Sequence, residues 1–200
     1  MSSAFSKVEL QRCAPSSTNL PLITEENAST EVRLLLQQYR ERFGRSDVPG
    51  IVMCFATHPA LLRGMLEIAG GLLFADGLLA RHQKELIATY LSLRNTCPYC
   101  ADSHGYLLVA EGGSPELLHA LRTSDLDSPL LTDPERALLR FAAKVNMESH
   151  LITRSDIERM VEVGWTEAQV AEAVHIAALF ASFNRIANAF GLPSPYPGLV

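Results

Sequence analysis

Apolar positions recur along most of this chain with the spacing of helices. The clearest case is Thr30–Phe43, in which Val32, Leu35, Leu36 and Tyr39 follow one another at intervals that place them on one helical face. No stretch alternates between apolar and polar residues with period two over a convincing length, so strands are expected to be absent or minor. The pattern therefore predicts an all-α bundle of about eight helices.

Capping signals mark several ends of these helices. Three capping boxes, in which Ser or Thr precedes Glu or Gln by three residues, predict helix starts at Thr132, Ser155 and Thr166. The glycine pair at positions 70 and 71 is expected to weaken its helix or to let another helix approach closely. Besides Thr30–Phe43, the predicted helices cover approximately residues 59–74, 79–95, 98–111, 115–122, 132–145, 155–164 and 166–190.

The beginning of the chain has a different composition. Residues 1–29 are rich in Ser, Thr, Pro and Asn and lack a sustained period, which predicts an N-terminal arm or tail of the kind that lies on a neighbouring subunit. The remainder, residues 30–200, is long enough to bury one sizeable core and is interpreted as a single helical domain.

The last predicted helix is apolar nearly all round between Val170 and Phe183. A helix without a polar face is buried in a core or against another subunit, and the second possibility predicts an oligomer. His175 is interpreted as a core histidine. Asn184 and Arg185 are interpreted as polar residues paired across an interface.

Bulk properties narrow the possible functions. The net charge is −5 with no basic cluster, which argues against binding of nucleic acid. No apolar run is long enough to span a bilayer, and the N-terminus lacks the apolar region of a secretory signal, so a cytoplasmic protein that does not bind membranes is expected. Four cysteines in a reducing compartment do not suggest a disulfide framework, and the isolated Cys13 and Cys54 are interpreted as inert packing residues.

Cys97 and Cys100 form the one constellation among the cysteines. Pro98 suits a first helical turn, so Cys97 is placed at the helix start, where the positive end of the helix dipole favours a thiolate. On the dipole alone, Cys97 is the more acidic thiol. Cys100 follows one turn later, within reach of a reversible disulfide, and His104 is one further turn along the same face, where it can accept a thiol proton or stabilise a thiolate.

Other interpretations of these residues remain open. Structural zinc would need Cys97, Cys100, His104 and one acid, because no second cysteine pair follows. Two cysteines without chemistry are a further possibility. Glu85 lies opposite the apolar stripe of its predicted helix, so periodicity alone makes it a solvated side chain, and His82 is expected on the exposed flank.

The pattern of Glu85, the segment Cys97-Pro-Tyr-Cys100 and His104 resembles the alkylhydroperoxidase AhpD-like branch of the carboxymuconolactone decarboxylase superfamily. The segment from Phe183 to Gly191 is similar to the peroxidase-related subgroup of that branch. The resemblance implies an AhpD-like helical bundle that forms a homo-oligomer, from dimers to trimers and hexamers.

The same resemblance implies a thiol-dependent hydroperoxide reductase without a cofactor or metal. Its substrate would be a small organic hydroperoxide and its electron donor a dithiol protein or small molecule. The resemblance assigns Cys100 as the thiol that is oxidised and Cys97 as the resolving thiol, with Glu85 and His104 as a proton relay. Tyr99 stands where well-studied members carry a histidine, and a phenol with a pKa of about 10 is a poor proton carrier at neutral pH.

Two further functions stay open at this point. A disulfide reductase or adaptor of the same fold would reduce the disulfide of a partner without consuming peroxide. A redox sensor would change its assembly when the cysteine pair is oxidised. Decarboxylases of the superfamily generally lack the cysteine pair, so decarboxylation is not favoured.

Overall fold

The computed structural model describes residues 18–197 of the chain. Throughout this range the regular structure is helical, which confirms the predicted all-α class. Two short irregular helices accompany the α-helices, a π-helical turn at Gly70–Phe74 and a 3₁₀ turn at Ser149–Leu151. The α-helices are α1 (Thr30–Phe43), α2 (Gly50–Phe55), α3 (Pro59–Ala69), α4 (Arg81–Arg94), α5 (Pro98–Ala110), α6 (Pro115–Arg122), α7 (Asp133–Glu148), α8 (Arg154–Glu162) and α9 (Glu167–Phe190).

Most predicted boundaries agree with these bounds, and the differences have local causes. The short helix α2 was not predicted, because six residues are too few to show a helical period. The cap of α8 is Thr153 and not the predicted Ser155, since Asp156 accepts a hydrogen bond of 2.8 Å from the Thr153 backbone N–H. The glycine pair begins the π-helical turn that interrupts the predicted helix after Ala69.

Helix α4 lies at the centre of the bundle and packs against α5, α7 and α9. Every residue from Lys84 to Ser92 is buried, whether apolar or polar. Lys84 forms an ion pair of 2.8 Å with Glu172 of α9 and donates hydrogen bonds to the carbonyls of Leu72 and Ala75. This buried lysine therefore joins α4, α9 and the end of the π-helical turn.

Helix α9 has a buried face and an exposed face of small residues. His175 lies on the exposed face, so the prediction of a core histidine is wrong. Asn184 is fully buried and bonded within its own chain, which corrects its interpretation as an interface residue. By length and mean hydropathy α9 could cross a membrane, a test that core helices of soluble proteins also pass. Its buried residues are Val170, Ala173, Ile176, Ala177, Phe180, Phe183, Asn184 and Ala187.

Both ends of the described chain pack around the beginning of α5. The backbone N–H of Asn19 donates to the carbonyl of Phe190 over 2.8 Å, which ties the two ends together. Leu22 and Leu192 are buried in one apolar cluster with Cys97 and Cys100. The described part of the predicted arm, residues 18–29, thus packs against its own chain, whereas residues 1–17, with Cys13, lie outside the described residues.

Candidate functional site

A tight turn between α4 and α5 places Cys97 at the start of α5. Thr96 adopts a left-handed backbone conformation with φ of 51°, which is uncommon for a β-branched residue. The Cys97 backbone N–H donates to the Ser92 carbonyl over 2.9 Å, and the Asn188 side-chain amide donates to the Thr96 carbonyl over 3.2 Å. Pro98 then begins the helix with its fixed φ. Contacts from two neighbouring helices therefore hold this strained turn in place.

The two thiols interact with each other at the centre of the apolar cluster. Cys97 is 1% exposed and Cys100 is 4% exposed. A hydrogen bond from the Cys100 thiol lowers the pKa of Cys97, against the effect of burial, and the Cys100 backbone N–H acts in the same direction. The same hydrogen bond, together with burial and the negative charge on Cys97, raises the pKa of Cys100. Cys97 is thus the more acidic of the two thiols, as the dipole argument favoured.

Asn184 of α9 contributes a polar group that reaches both sulfurs. Its amide nitrogen donates to Ser92 Oγ over 3.0 Å, and its oxygen accepts a hydrogen bond of 2.8 Å from the Asn95 side chain. The same amide favours the thiolate form of both cysteines. It therefore acts to lower the pKa of each, although the net pKa of Cys100 is still raised. Sequence reasoning missed this role, and the one available signal was that Asn184 lies in the segment similar to the peroxidase-related subgroup.

Glu85 of α4 and His104 of α5 form a direct contact. Glu85 Oε2 lies 2.6 Å from His104 Nδ1, and Arg81 Nε donates to Glu85 Oε1 over 2.7 Å. Burial acts to raise the pKa of Glu85, but the charges and hydrogen bonds of His104 and Arg81 outweigh it and hold the pKa below its ordinary value. The ionised carboxylate accepts a hydrogen bond from Nδ1–H, so Nε2 of His104 is the nitrogen that can exchange a proton.

This arrangement corrects the periodicity argument for Glu85. The side chain is 1% exposed and not solvated, because α4 is surrounded and its polar side faces α5 and α9. His82, by contrast, is partly exposed, with Nδ1 3.2 Å from the carbonyl oxygen of Glu111. Thus the structure brings together Glu85 with His104, and Cys97 with Cys100, on two neighbouring helices, with His104 one turn beyond Cys100 on α5.

Tyr99, between the two cysteines, is directed toward α2. Its hydroxyl oxygen accepts a hydrogen bond of 3.2 Å from the Ile51 backbone N–H. Through this bond α2 packs over the first turn of α5, and Cys54 of α2 belongs to the same apolar cluster as the cysteine pair. The tyrosine therefore connects α2 to the cysteine helix.

The zinc interpretation requires several ligands that converge on one point. In the part of the chain from residue 18 to residue 197, no group of three or more His, Cys, Asp or Glu side chains is arranged to hold a metal ion. His104 instead contacts Glu85 and the edge of the Phe180 ring, with ring centroids 4.7 Å apart.

Known proteins resemble this chain in sequence and in fold. Residues 59–144 match the carboxymuconolactone decarboxylase family. The fold is similar to an AhpD-core, uncharacterized peroxidase-related protein from Ralstonia eutropha JMP134, with 26% identity and a TM-score of 0.78 over 89% of this chain and 92% of that one. The debrominase Bmp8 shares the fold at 17% identity and a TM-score of 0.66 over 86% of this chain and 88% of that one.

Sestrin-1 of Mus musculus is 27% identical over 145 residues, or 72% of this chain. The chain spans about 28% of the length of this curated relative. The family match covers α3 to α7 and hence both cysteines, Glu85 and His104. The chain therefore belongs to the carboxymuconolactone decarboxylase superfamily, in its AhpD-like branch.

Proposed function

We propose that this chain is a thiol-dependent reductase of small organic hydroperoxides. The observation that carries the proposal is the hydrogen-bonded pair of buried thiols, with the Glu85–His104 contact on the adjoining helix face. Thiol, imidazole and carboxylate together can deprotonate a sulfur and protonate a leaving alkoxide. The similarity to the AhpD-core protein from Ralstonia eutropha supports this chemistry.

The resemblance makes Cys100 the attacking sulfur, and the lowered pKa of Cys97 lets Cys97 serve as the proton acceptor when it is a thiolate. As Cys100 attacks, its proton passes to the Cys97 thiolate, to which it is already hydrogen-bonded. The Cys100 sulfur breaks the O–O bond and becomes a sulfenic acid, and the leaving alkoxide takes the Nε2 proton of a protonated His104, which becomes the neutral imidazole as the alcohol forms. A sulfur of high pKa is intrinsically the stronger nucleophile once it is deprotonated.

Cys97, now protonated, condenses with the sulfenic acid. The products are the Cys97–Cys100 disulfide and water, and an external dithiol regenerates both thiols by exchange. The low exposure of both sulfurs favours a small hydroperoxide over the disulfide of a protein partner, because a folded partner would have to reach sulfurs that are buried in an apolar cluster. The adaptor function would instead show reduction of a partner's disulfide without peroxide consumption.

The test is steady-state consumption of cumene hydroperoxide with dithiothreitol as electron donor. Wild type is compared with Cys100→Ser and with Cys13→Ser, which removes a cysteine that the sequence predicts to be inert. We expect loss of turnover in Cys100→Ser and unchanged turnover in Cys13→Ser. Equal rates in wild type and Cys100→Ser would end the proposal. Mapping of thiols after one equivalent of peroxide should show Cys100 oxidised in Cys97→Ser and Cys97 still reduced in Cys100→Ser.

A further inference from the structure

A third buried cysteine lies beside the pair. Cys54 is 4% exposed and belongs to one apolar cluster with Cys97, Cys100 and Tyr99. From the sequence it is an isolated cysteine, separated from the pair by α3, the π-helical turn and α4. The fold brings α2 back over the first turn of α5 and so places three thiols in a single water-excluded cluster.

Two contacts hold α2 in this position. The Ile51 backbone N–H donates to the Tyr99 hydroxyl over 3.2 Å, and the ring of Phe55 meets that of Phe183 edge-on, with centroids 5.9 Å apart. Cys54 lies one turn after Ile51 and next to Phe55 on the same short helix. Its thiol is therefore held against α5 and α9 and is not on a mobile loop.

Cys54 is also close enough to Cys100 to influence it. Negative charge on Cys54 acts on Cys100 and contributes to the raised pKa of that thiol. Together with the shared apolar cluster, this brings Cys54 near the sulfur that is assigned to attack the peroxide.

We propose that Cys54 is a second resolving thiol, which forms a disulfide with Cys100. The proposal rests on the proposed function for its oxidant, an organic hydroperoxide. Cys100 is first oxidised to the sulfenic acid with release of the alcohol. The Cys54 sulfur then attacks the Cys100 sulfur, the S–O bond breaks, and water leaves with the Cys54 proton.

The same product forms from the closed pair without a further oxidant. The Cys54 thiolate attacks Cys100 of the Cys97–Cys100 disulfide, and Cys97 leaves as its thiolate. The backbone N–H of Cys100 and the Asn184 amide both favour the Cys97 thiolate and so support its departure. Cys54 would thus protect Cys100 from oxidation to the irreversible sulfinic acid whenever Cys97 is not available.

The experiment uses the full chain with Cys13→Ser throughout, so that the three clustered cysteines are the only thiols. The Cys97→Ser variant is treated in one arm with one equivalent of cumene hydroperoxide and in a second arm with diamide, which oxidises neighbouring thiols directly. After alkylation, unreduced peptides are mapped by mass spectrometry. We expect an intramolecular Cys54–Cys100 disulfide in both arms and its complete loss when Cys54→Ser is added.

A matched control carries Cys100→Ser and retains both Cys54 and Cys97. In this control we expect the Cys54–Cys100 disulfide to be lost. Fully alkylated Cys54 in both arms of the Cys97→Ser variant would overturn the proposal. A disulfide with diamide but not with hydroperoxide would support the three-thiol cluster and count against the proposed peroxidase function. With excess peroxide, adding Cys54→Ser to the Cys97→Ser variant should increase sulfinic acid at Cys100, and an unchanged yield would contradict the protective role.

Discussion

Glu85 Oε2 and His104 Nδ1 lie 2.6 Å apart and join the central helix α4 to the cysteine helix α5. We expect Glu85→Gln to lower hydroperoxide turnover by about tenfold to a hundredfold, because the amide lacks the charge that orients and supports the imidazole. Glu67→Gln, an exposed carboxylate paired with Arg42, is the matched control and should leave turnover unchanged. Full turnover in the Glu85 variant would exclude this contact from the relay.

The same contact should appear in the pH dependence of stability. The folded protein lowers the pKa of Glu85, so the ionised carboxylate stabilises the fold. That contribution is fully present above the unfolded pKa of about 4.3 and is lost as the pH falls through the lower folded value. The difference in unfolding free energy between wild type and Glu85→Gln, measured by urea titration, should shrink as the pH is lowered below about 4. A constant difference would show that Glu85 does not titrate in this way.

Asn184 should tune the acidity of the cysteine pair. In Asn184→Ala the amide donor is lost, so the pKa of Cys97 should rise. The readout is the pH dependence of Cys97 alkylation by iodoacetamide. Gln37→Ala, which removes an exposed amide on α1, is the control. Equal alkylation midpoints in wild type and Asn184→Ala would refute the role.

Removal of Lys84 should destabilise the bundle more than any exposed charge does. Lys84→Met leaves Glu172 without its buried partner and the carbonyls of Leu72 and Ala75 without a donor. The expected loss in unfolding free energy, measured in urea, is about 3–5 kcal/mol. The double variant Lys84→Met with Glu172→Gln should recover part of it, because the unpaired charge is then removed as well. A loss below about 1 kcal/mol, the range of exposed ion pairs, would contradict the buried geometry.

Thr89 and Ser92 offer a contrast on one helix. Both are fully buried, but within residues 18–197 the Thr89 hydroxyl has no hydrogen-bond partner, whereas Ser92 Oγ accepts from Asn184. Thr89→Val should therefore raise the free energy of unfolding by about 1 kcal/mol, since an unsatisfied buried hydroxyl is removed. Ser92→Ala should lower it by about the same amount. Thermal and urea unfolding of both variants provide the measurement, and destabilisation by Thr89→Val would show that its hydroxyl is satisfied.

Local signals in the sequence were sufficient for the helical class and for the cysteine helix. Thr30–Phe43 has the predicted bounds, and the capping box at Thr166 begins a helix that ends at Phe190 as expected. The spacing of Cys97, Cys100 and His104 on one helix also follows from sequence, because residues three and four apart share a helical face. Each of these features depends on neighbours in the chain.

Tertiary packing alone decided which polar residues surround the sulfurs. Glu85 was expected in solvent because periodicity assumes one wet side, but α4 is covered on every side and its polar side faces α5 and α9. Asn184 and Cys54 reach the cysteine pair from distant parts of the chain, through contacts that no local period encodes. Helical periodicity reports burial only for a helix with one solvent face, and the central helix of this bundle has none.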